Sequence, residues 1–87
     1  MAKKFIRNRT KNIVIATFDL DEHDVGRYTN LSEYLNDDDK VTRLKSMLKK
    51  EFGNAPKRSD LKLCTDIDDI ADEVQEVYDP NEDPRNQ

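Results

Sequence analysis

The sequence predicts a small α+β domain in the element order β-(β)-α-β-α, with two amphipathic helices packed on one short sheet. Three observations predict this class: a run of β-branched and aromatic residues over 13–20, and two stripes of apolar residues at helical spacing within 39–52 and 67–78. A chain of 87 residues has room for one thin hydrophobic core, so we expect a single domain over residues 1–78.

The predicted sheet has one strong strand and two weaker ones. Residues 13–20 carry apolar side chains on both faces, which is typical of a central strand. Residues 25–31 follow a polar loop and return as a second strand, with Gly26 at a bend or bulge. Residues 61–65 alternate weakly and form a short third strand.

The first predicted helix covers residues 39–52. Asp37 or Asp38 is its expected N-cap, and Gly53 occupies the left-handed position that commonly ends a helix. Its apolar stripe consists of Val41, Leu44, Leu48 and Phe52.

The second predicted helix covers residues 67–78. Thr65 and Asp68 resemble a capping arrangement at its start, and Pro80 closes it. Beyond it we expect residues 79–87 to form an acidic disordered tail, because they are polar and contain proline.

Charge is distributed unevenly along the chain, although the net charge is only −4. Residues 1–12 carry +5, residues 13–39 carry −7, residues 40–62 carry +6 and residues 63–87 carry −8. Blocks of opposite sign either neutralise one another in a compact fold or form separate faces that attract charged partners. The sequence leaves both arrangements open.

Several classes of protein are excluded by features that the sequence lacks. The apolar run at 13–18 is too short for a membrane-spanning helix or a signal peptide, so we expect a cytoplasmic protein without a membrane partner. Cys64 is the only cysteine, which excludes a disulfide framework and a thiolate zinc cluster.

Catalytic and metal-binding patterns are also missing. Cys64 and the single histidine, His23, lie 41 residues apart, and Cys64 has apolar neighbours, as buried thiols usually do. The acids that follow Asp19 do not fit the EF-hand pattern, and phosphate-binding glycine loops are absent. We therefore expect no enzymatic activity, no metal site and no cofactor.

Two basic segments are candidates for binding nucleic acid. In the basic N-terminal segment, residues 1–11, the cations alternate near strand spacing and could follow a phosphate backbone. A second group surrounds the end of the first predicted helix. The candidate nucleic-acid-binding residues are Lys3, Lys4, Arg7, Arg9, Lys11, Lys49, Lys50, Lys57 and Arg58.

Acidic side chains on the last predicted helix are candidates for binding a protein. They lie opposite its apolar stripe, and a row of carboxylates on a rigid helix can imitate the phosphates of a nucleic acid. The candidate partner-binding residues are Asp68, Asp69, Asp72, Glu73 and Glu76, with Asp37, Asp38 and Asp39 as a second patch.

Residues Met1-Ala2-Lys3, Arg7, Thr10-Lys11 and Val14 resemble, without a gap, the opening of the histone-like double-stranded DNA-binding protein of phi29-type phages. The resemblance covers about 14 of the 87 residues. It implies a phage-type origin and non-specific binding to DNA. Small phage proteins also include many inhibitors of host defence and of host nucleic-acid enzymes.

These observations predict a non-enzymatic phage-type protein that binds and inhibits a host nucleic-acid-handling or defence protein. The acidic, nucleic-acid-mimicking surface is the expected binding surface, and the host cytoplasm is the expected compartment. The alternative is a histone-like protein that binds DNA or RNA non-specifically through the basic N-terminal strand and the basic helix end. A structural or assembly component is the third possibility.

Overall fold

The computed structural model describes residues 3–86, and within this range it contains helices and turns but no β-strand. Its α-helices are α1 (Lys4–Phe18), α2 (Ser32–Leu35), α3 (Asp38–Phe52), α4 (Arg58–Lys62) and α5 (Ile67–Val77). Short 3₁₀ turns cover Glu22–Asp24 and Pro84–Asn86. The predicted α+β class, with two helices on a short sheet, is therefore wrong.

The predicted central strand, residues 13–20, lies mostly within α1. A helix places Ile6, Thr10, Val14 and Thr17 on one buried face, because they recur every three or four residues. Helix propensity disfavours β-branched residues by only a few tenths of a kcal/mol each, so packing outweighs it. Because α1 packs against both α3 and α5, its flanks at Ile13 and Ile15 are also partly covered. This explains why the run carries apolar side chains on both sides.

The two weaker strands are a loop and a helical turn. Residues 25–31 form a loop in which the Gly26 amide donates to the Thr29 hydroxyl at 2.8 Å. Residues 61–65 begin in the last turn of α4 and continue into the loop before α5, where Leu61 and Cys64, three residues apart, are buried and Leu63 is 81% exposed. The prediction was wrong because the apolar spacing here is three residues, whereas strand alternation needs two.

Both predicted helices are confirmed. The Asp37 side chain caps α3 by accepting hydrogen bonds from the amides of Asp39 and Lys40, and Gly53 ends the helix in the left-handed conformation. The cap of α5 is Asp66, whose side chain accepts from the Asp69 amide, so the predicted cap lies one residue too early.

One core lies among α1, α3, α4 and α5. α1 packs against α3 on one side and α5 on the other, and α4 contacts both α3 and α5. None of the helices in residues 3–86 combines the length and the apolar character needed to cross a lipid bilayer. The fully buried large side chains are Ile6, Val14, Leu31, Leu35, Val41, Leu44, Leu48, Phe52, Leu61, Ile67, Ile70 and Val74.

The C-terminal segment, residues 79–86, folds back onto α1 and the end of α3, where the sequence analysis expected a disordered tail. Asp83 in this segment is only 1% exposed, and the Glu82 backbone lies directly against Gly53. Gly53 has φ +84°, and a Cβ atom there would overlap the Glu82 carbonyl group. The absence of a side chain at Gly53 therefore allows the left-handed end of α3 and also leaves room for the C-terminal segment to pack there.

We expect Gly53→Ala to lower the free energy of unfolding by more than about 2 kcal/mol, because the left-handed conformation alone costs about 1–2 kcal/mol. Gly26→Ala is the matched control, since its Cβ would meet only the Thr29 hydroxyl at 3.8 Å and its φ is not positive. Urea unfolding followed by circular dichroism measures both variants. Equal stability of the two variants would contradict this account of Gly53.

Candidate functional site

The predicted row of N-terminal cations does not form, because these residues belong to a helix. Arg7 and Arg9 lie about 200° apart around the axis of α1, so they leave the helix on opposite sides. Arg7 Nε contacts Asp68 Oδ1 on α5 at 3.1 Å, and the Lys3 backbone nitrogen donates to Gln75 Oε1 at 2.9 Å. The first group of predicted nucleic-acid contacts is therefore partly used to hold α1 against α5.

Arg9 lies at the centre of a largely buried network. Its Nη1 and Nη2 donate to the two carboxylate oxygens of Asp83 at 2.7 and 2.9 Å, and its Nε donates to Glu51 Oε2 at 2.7 Å. The guanidinium also stacks on the Phe52 ring, 4.4 Å from the ring centroid, and the Tyr78 hydroxyl donates to Asp83 at 2.7 Å. The hydrogen bonds from Arg9 hold the pKa of Asp83 well below its usual range. Arg9 is thus a structural residue.

The predicted second acidic patch is mainly a helix start. Asp37 caps α3, and Asp38 forms an ion pair with Lys62 of α4, which lowers the pKa of Asp38. Asp39 is exposed in the first turn. The dipole of α3 favours carboxylates at this end, so these side chains have a structural explanation.

The acids of α5 divide into two sets. Asp68 contacts both Arg7 and Arg27, at 3.1 and 3.0 Å, and its charge is neutralised within the fold. The remaining predicted acids face away from the core on the other side of the helix. They are Asp69, Asp72, Glu73 and Glu76.

Three of these acids line a groove of about 240 Å³ between α4 and α5. We call it the acidic groove; its lining residues are Asp60, Leu63, Cys64, Asp69, Asp72 and Glu73. Glu76 continues it by one helical turn. Sequence reasoning missed Asp60 and Leu63, which would have been found only if α4 had been recognised as a helix facing α5.

The acidic groove concentrates negative charge that the described part of the chain does not neutralise. None of its four carboxylates forms an ion pair with a cation of residues 3–86. Partial burial raises the pKa of Glu73, and the nearby carboxylates of Glu76, Asp60, Asp72 and Asp69 raise it further. One oxygen of Asp72, Oδ1, is buried and has no hydrogen-bond partner. A cation at the groove would relieve the repulsion among the carboxylates around Glu73.

The chemistry of Cys64 is that of a buried thiol. Its Sγ lies 3.5 Å from the Asp60 carbonyl oxygen, to which it donates, and burial raises its pKa to about 12. The thiol is therefore protonated at neutral pH and is a poor nucleophile. Within residues 3–86, no group of three or more histidine, cysteine or acidic side chains has an arrangement that could hold a metal ion.

The second group of predicted nucleic-acid contacts remains on the surface. Lys49, Lys50, Lys57 and Arg58 are exposed, and Arg58 Nη1 donates to Thr42 Oγ1 of α3 at 3.1 Å. The structure adds two cations of α3 that the sequence analysis did not select, Arg43 and Lys45. We call the exposed cations on the outer side of α3, Arg43, Lys49 and Lys50, the basic face; Lys45 is half-buried and lies about 200° from Arg43 around the helix axis.

No protein-family model, curated protein or solved structure matches this chain. The resemblance to the phage histone-like protein therefore stays a prediction, and Met1 and Ala2, which contribute to it, lie outside the described residues.

We expect Asp83→Asn to lower the free energy of unfolding by about 3 kcal/mol at pH 7, because it leaves the buried Arg9 charge without its main partner. The pKa of Asp83 is lower in the folded than in the unfolded state, so its contribution is complete above about pH 5 and is lost as the pH falls further. The difference between wild type and variant should therefore shrink towards pH 2. Urea unfolding at a series of pH values measures it.

The matched control for this pH series is Glu82→Gln, which changes the exposed neighbour of Asp83 in the same segment. Its unfolding free energy should follow the wild type at every pH. A cost of Asp83→Asn that does not depend on pH would contradict the assigned role of the ion pair.

Proposed function

We propose that this protein is a non-enzymatic, phage-type binding protein that acts in the host cytoplasm. Its acidic groove and Glu76 bind the cationic surface of a host nucleic-acid-handling or defence protein and block the site that nucleic acid would occupy. The observation that carries the proposal is the set of unneutralised carboxylates on one side of α5, which Asp60 extends onto α4.

The spacing of these carboxylates supports mimicry of a nucleic acid. Asp69, Asp72, Glu73 and Glu76 span seven residue steps of a rigid helix, which is an axial rise of about 10.5 Å. One carboxylate therefore occurs about every 3.5 Å along the helix axis, compared with one phosphate of each strand about every 3.4 Å along the axis of duplex DNA. A groove that holds phosphates would meet a similar density of negative charge here.

The composition of the groove supports a cationic side chain as the group that enters it. The crowded Glu73 carboxylate favours a charged donor such as arginine or lysine. Leu63, 81% exposed at the rim, offers apolar surface for the aliphatic part of such a side chain.

The contacts on α5 also indicate which residues a binding test should change. Asp69 is unsuitable because its Oδ2 accepts from both the backbone and the hydroxyl of Thr65, so its replacement would disturb the start of α5. Asp68 is held by Arg7 and Arg27. The side chains of Glu73 and Glu76 form no hydrogen bond or ion pair within residues 3–86, so they can be changed without loss of a cap or an ion pair.

We expect Glu73→Gln with Glu76→Gln to weaken binding of a nine-arginine peptide at least tenfold, which corresponds to about 1.4 kcal/mol. The physical reason is the loss of two charge-assisted contacts at the groove. Isothermal titration calorimetry at low ionic strength measures the affinity.

The control variant, Glu22→Gln with Glu33→Gln, removes the same charge from exposed positions elsewhere. It should bind the peptide within about twofold of wild type, a difference of roughly 0.4 kcal/mol. Equal losses in the two variants would show that net charge alone attracts the peptide, and would contradict a site at the groove.

The alternative function, non-specific nucleic-acid binding, is tested by a mobility-shift titration of duplex DNA and duplex RNA at two salt concentrations. We expect no complex at either, because Arg7 and Arg9 are held in ion pairs and the net charge is −4. A tight complex that weakens steeply with salt would favour the alternative and contradict the mimicry proposal.

A further inference from the structure

The basic face carries charge that the fold leaves without a partner. The apolar stripe of α3 is buried against the core, and Arg43, Lys49 and Lys50 are exposed on its outer side. None of the three cations of the basic face forms an ion pair within residues 3–86. The two acids within residues 40–62 do not neutralise these cations. Glu51 forms ion pairs with Arg9 and Arg85, and Asp60 lies in the acidic groove.

The basic face has no apolar or aromatic anchor. The large hydrophobic side chains that are exposed in the described part of the chain are Phe5, Tyr28 and Leu63, and none of them is on α3. A membrane surface or a single-stranded nucleic acid is therefore a poor match, because these partners require apolar insertion or base stacking. The net charge of −4 opposes the approach of any long polyanion.

The acidic groove matches the basic face in extent. From Arg43 to Lys50 the helix rises by about 10.5 Å, the same as from Asp69 to Glu76 on α5. Both stripes lie on regular helices, and α3 and α5 pack against different sides of α1. One molecule therefore presents two complementary surfaces on separate helices.

We propose that the basic face of one molecule binds the acidic groove of a second copy, in a head-to-tail contact. Because the two surfaces differ, such a contact is heterologous, so it generates a closed ring where the rotation between copies closes and an open filament where it does not. A cationic surface of another protein would compete with the second copy for the groove. This contact between copies uses the same acidic groove as the proposed function but needs no external partner. Self-association can therefore be disproved without disproving the binding of a host protein, and the reverse also holds.

The test uses two charge-reversed variants, Arg43→Glu with Lys50→Glu on the basic face and Glu73→Lys with Glu76→Lys on the groove. Sedimentation velocity of the wild type at about 50 mM salt should show an average mass that increases with protein concentration, and about 500 mM salt should reduce it to the monomer mass. Each variant alone should associate at least tenfold more weakly than the wild type.

The mixture of the two variants gives the decisive result. In the charge-neutral pair, Arg43→Gln/Lys50→Gln and Glu73→Gln/Glu76→Gln, each variant keeps one intact surface, so an equimolar mixture should form a 1:1 dimer and nothing larger. In the charge-reversed pair the two altered surfaces also attract each other, so its mixture should assemble beyond the dimer. The control pair, Lys4→Glu with Lys11→Glu and Glu22→Lys with Glu33→Lys, should assemble as the wild type does. Circular dichroism checks that each variant folds. If a charge-reversed variant does not fold, the charge-neutral variant of the same surface replaces it: Arg43→Gln/Lys50→Gln for the basic face and Glu73→Gln/Glu76→Gln for the groove.

Three results would overturn the inference: a wild type that stays monomeric at low salt, a basic-face variant that still assembles, or a mixture that stays monomeric. A complex of wild type with duplex DNA that is lost in Arg43→Glu/Lys50→Glu would assign the basic face to nucleic acid and would also overturn it. The sedimentation experiments contain neither the arginine peptide nor a host protein, so their failure leaves the proposed function standing, whereas a tight complex with duplex DNA would contradict both proposals.

Discussion

The Arg9 guanidinium joins three parts of the molecule that are distant in sequence. It makes four hydrogen bonds, two to Asp83 in the C-terminal segment and two to the Glu51 side chain and backbone at the end of α3. A largely buried charge is tolerated only when its donors are satisfied, so loss of one partner is costly for the whole arrangement. The packing of α1 on α3 and the docking of residues 79–86 therefore depend on the same group.

This network also determines which charges remain available on the surface. Arg9 with Asp83, and Arg7 with Asp68, join the basic beginning of the chain to its acidic end. The sequence left open whether its charge blocks neutralise one another or form separate faces, and the structure contains both arrangements. The outer blocks neutralise each other in part, whereas the basic face on α3 and the acidic groove beside α5 keep their charge. Both proposals depend on these two unneutralised surfaces.

The accuracy of the sequence-based prediction follows the strength of the local signals. α3 was predicted because Asp37 and Gly53 mark its ends and its apolar side chains repeat at helical spacing. α1 was missed because Lys3 provides no side-chain cap and Asp19, in place of a glycine, takes the left-handed position at its end. Its β-branched run then favoured a strand. The acids of α5 were correctly placed on one helix. The sequence could not show that Asp68 is neutralised by Arg7 and Arg27, because these arginines lie 61 and 41 positions away from it.

The sequence by itself determined two helices, the ends of α3 and the uneven distribution of charge, because these properties depend on residues within a turn or two of one another. The tertiary structure decided the fold class, the role of Arg9 and the composition of the acidic groove. Whether a β-branched segment is a strand or a helix depends on what covers its sides, and α1 is covered by α3 and α5. The groove exists because α4 brings Asp60 and Leu63 beside α5, and only packing could bring them together.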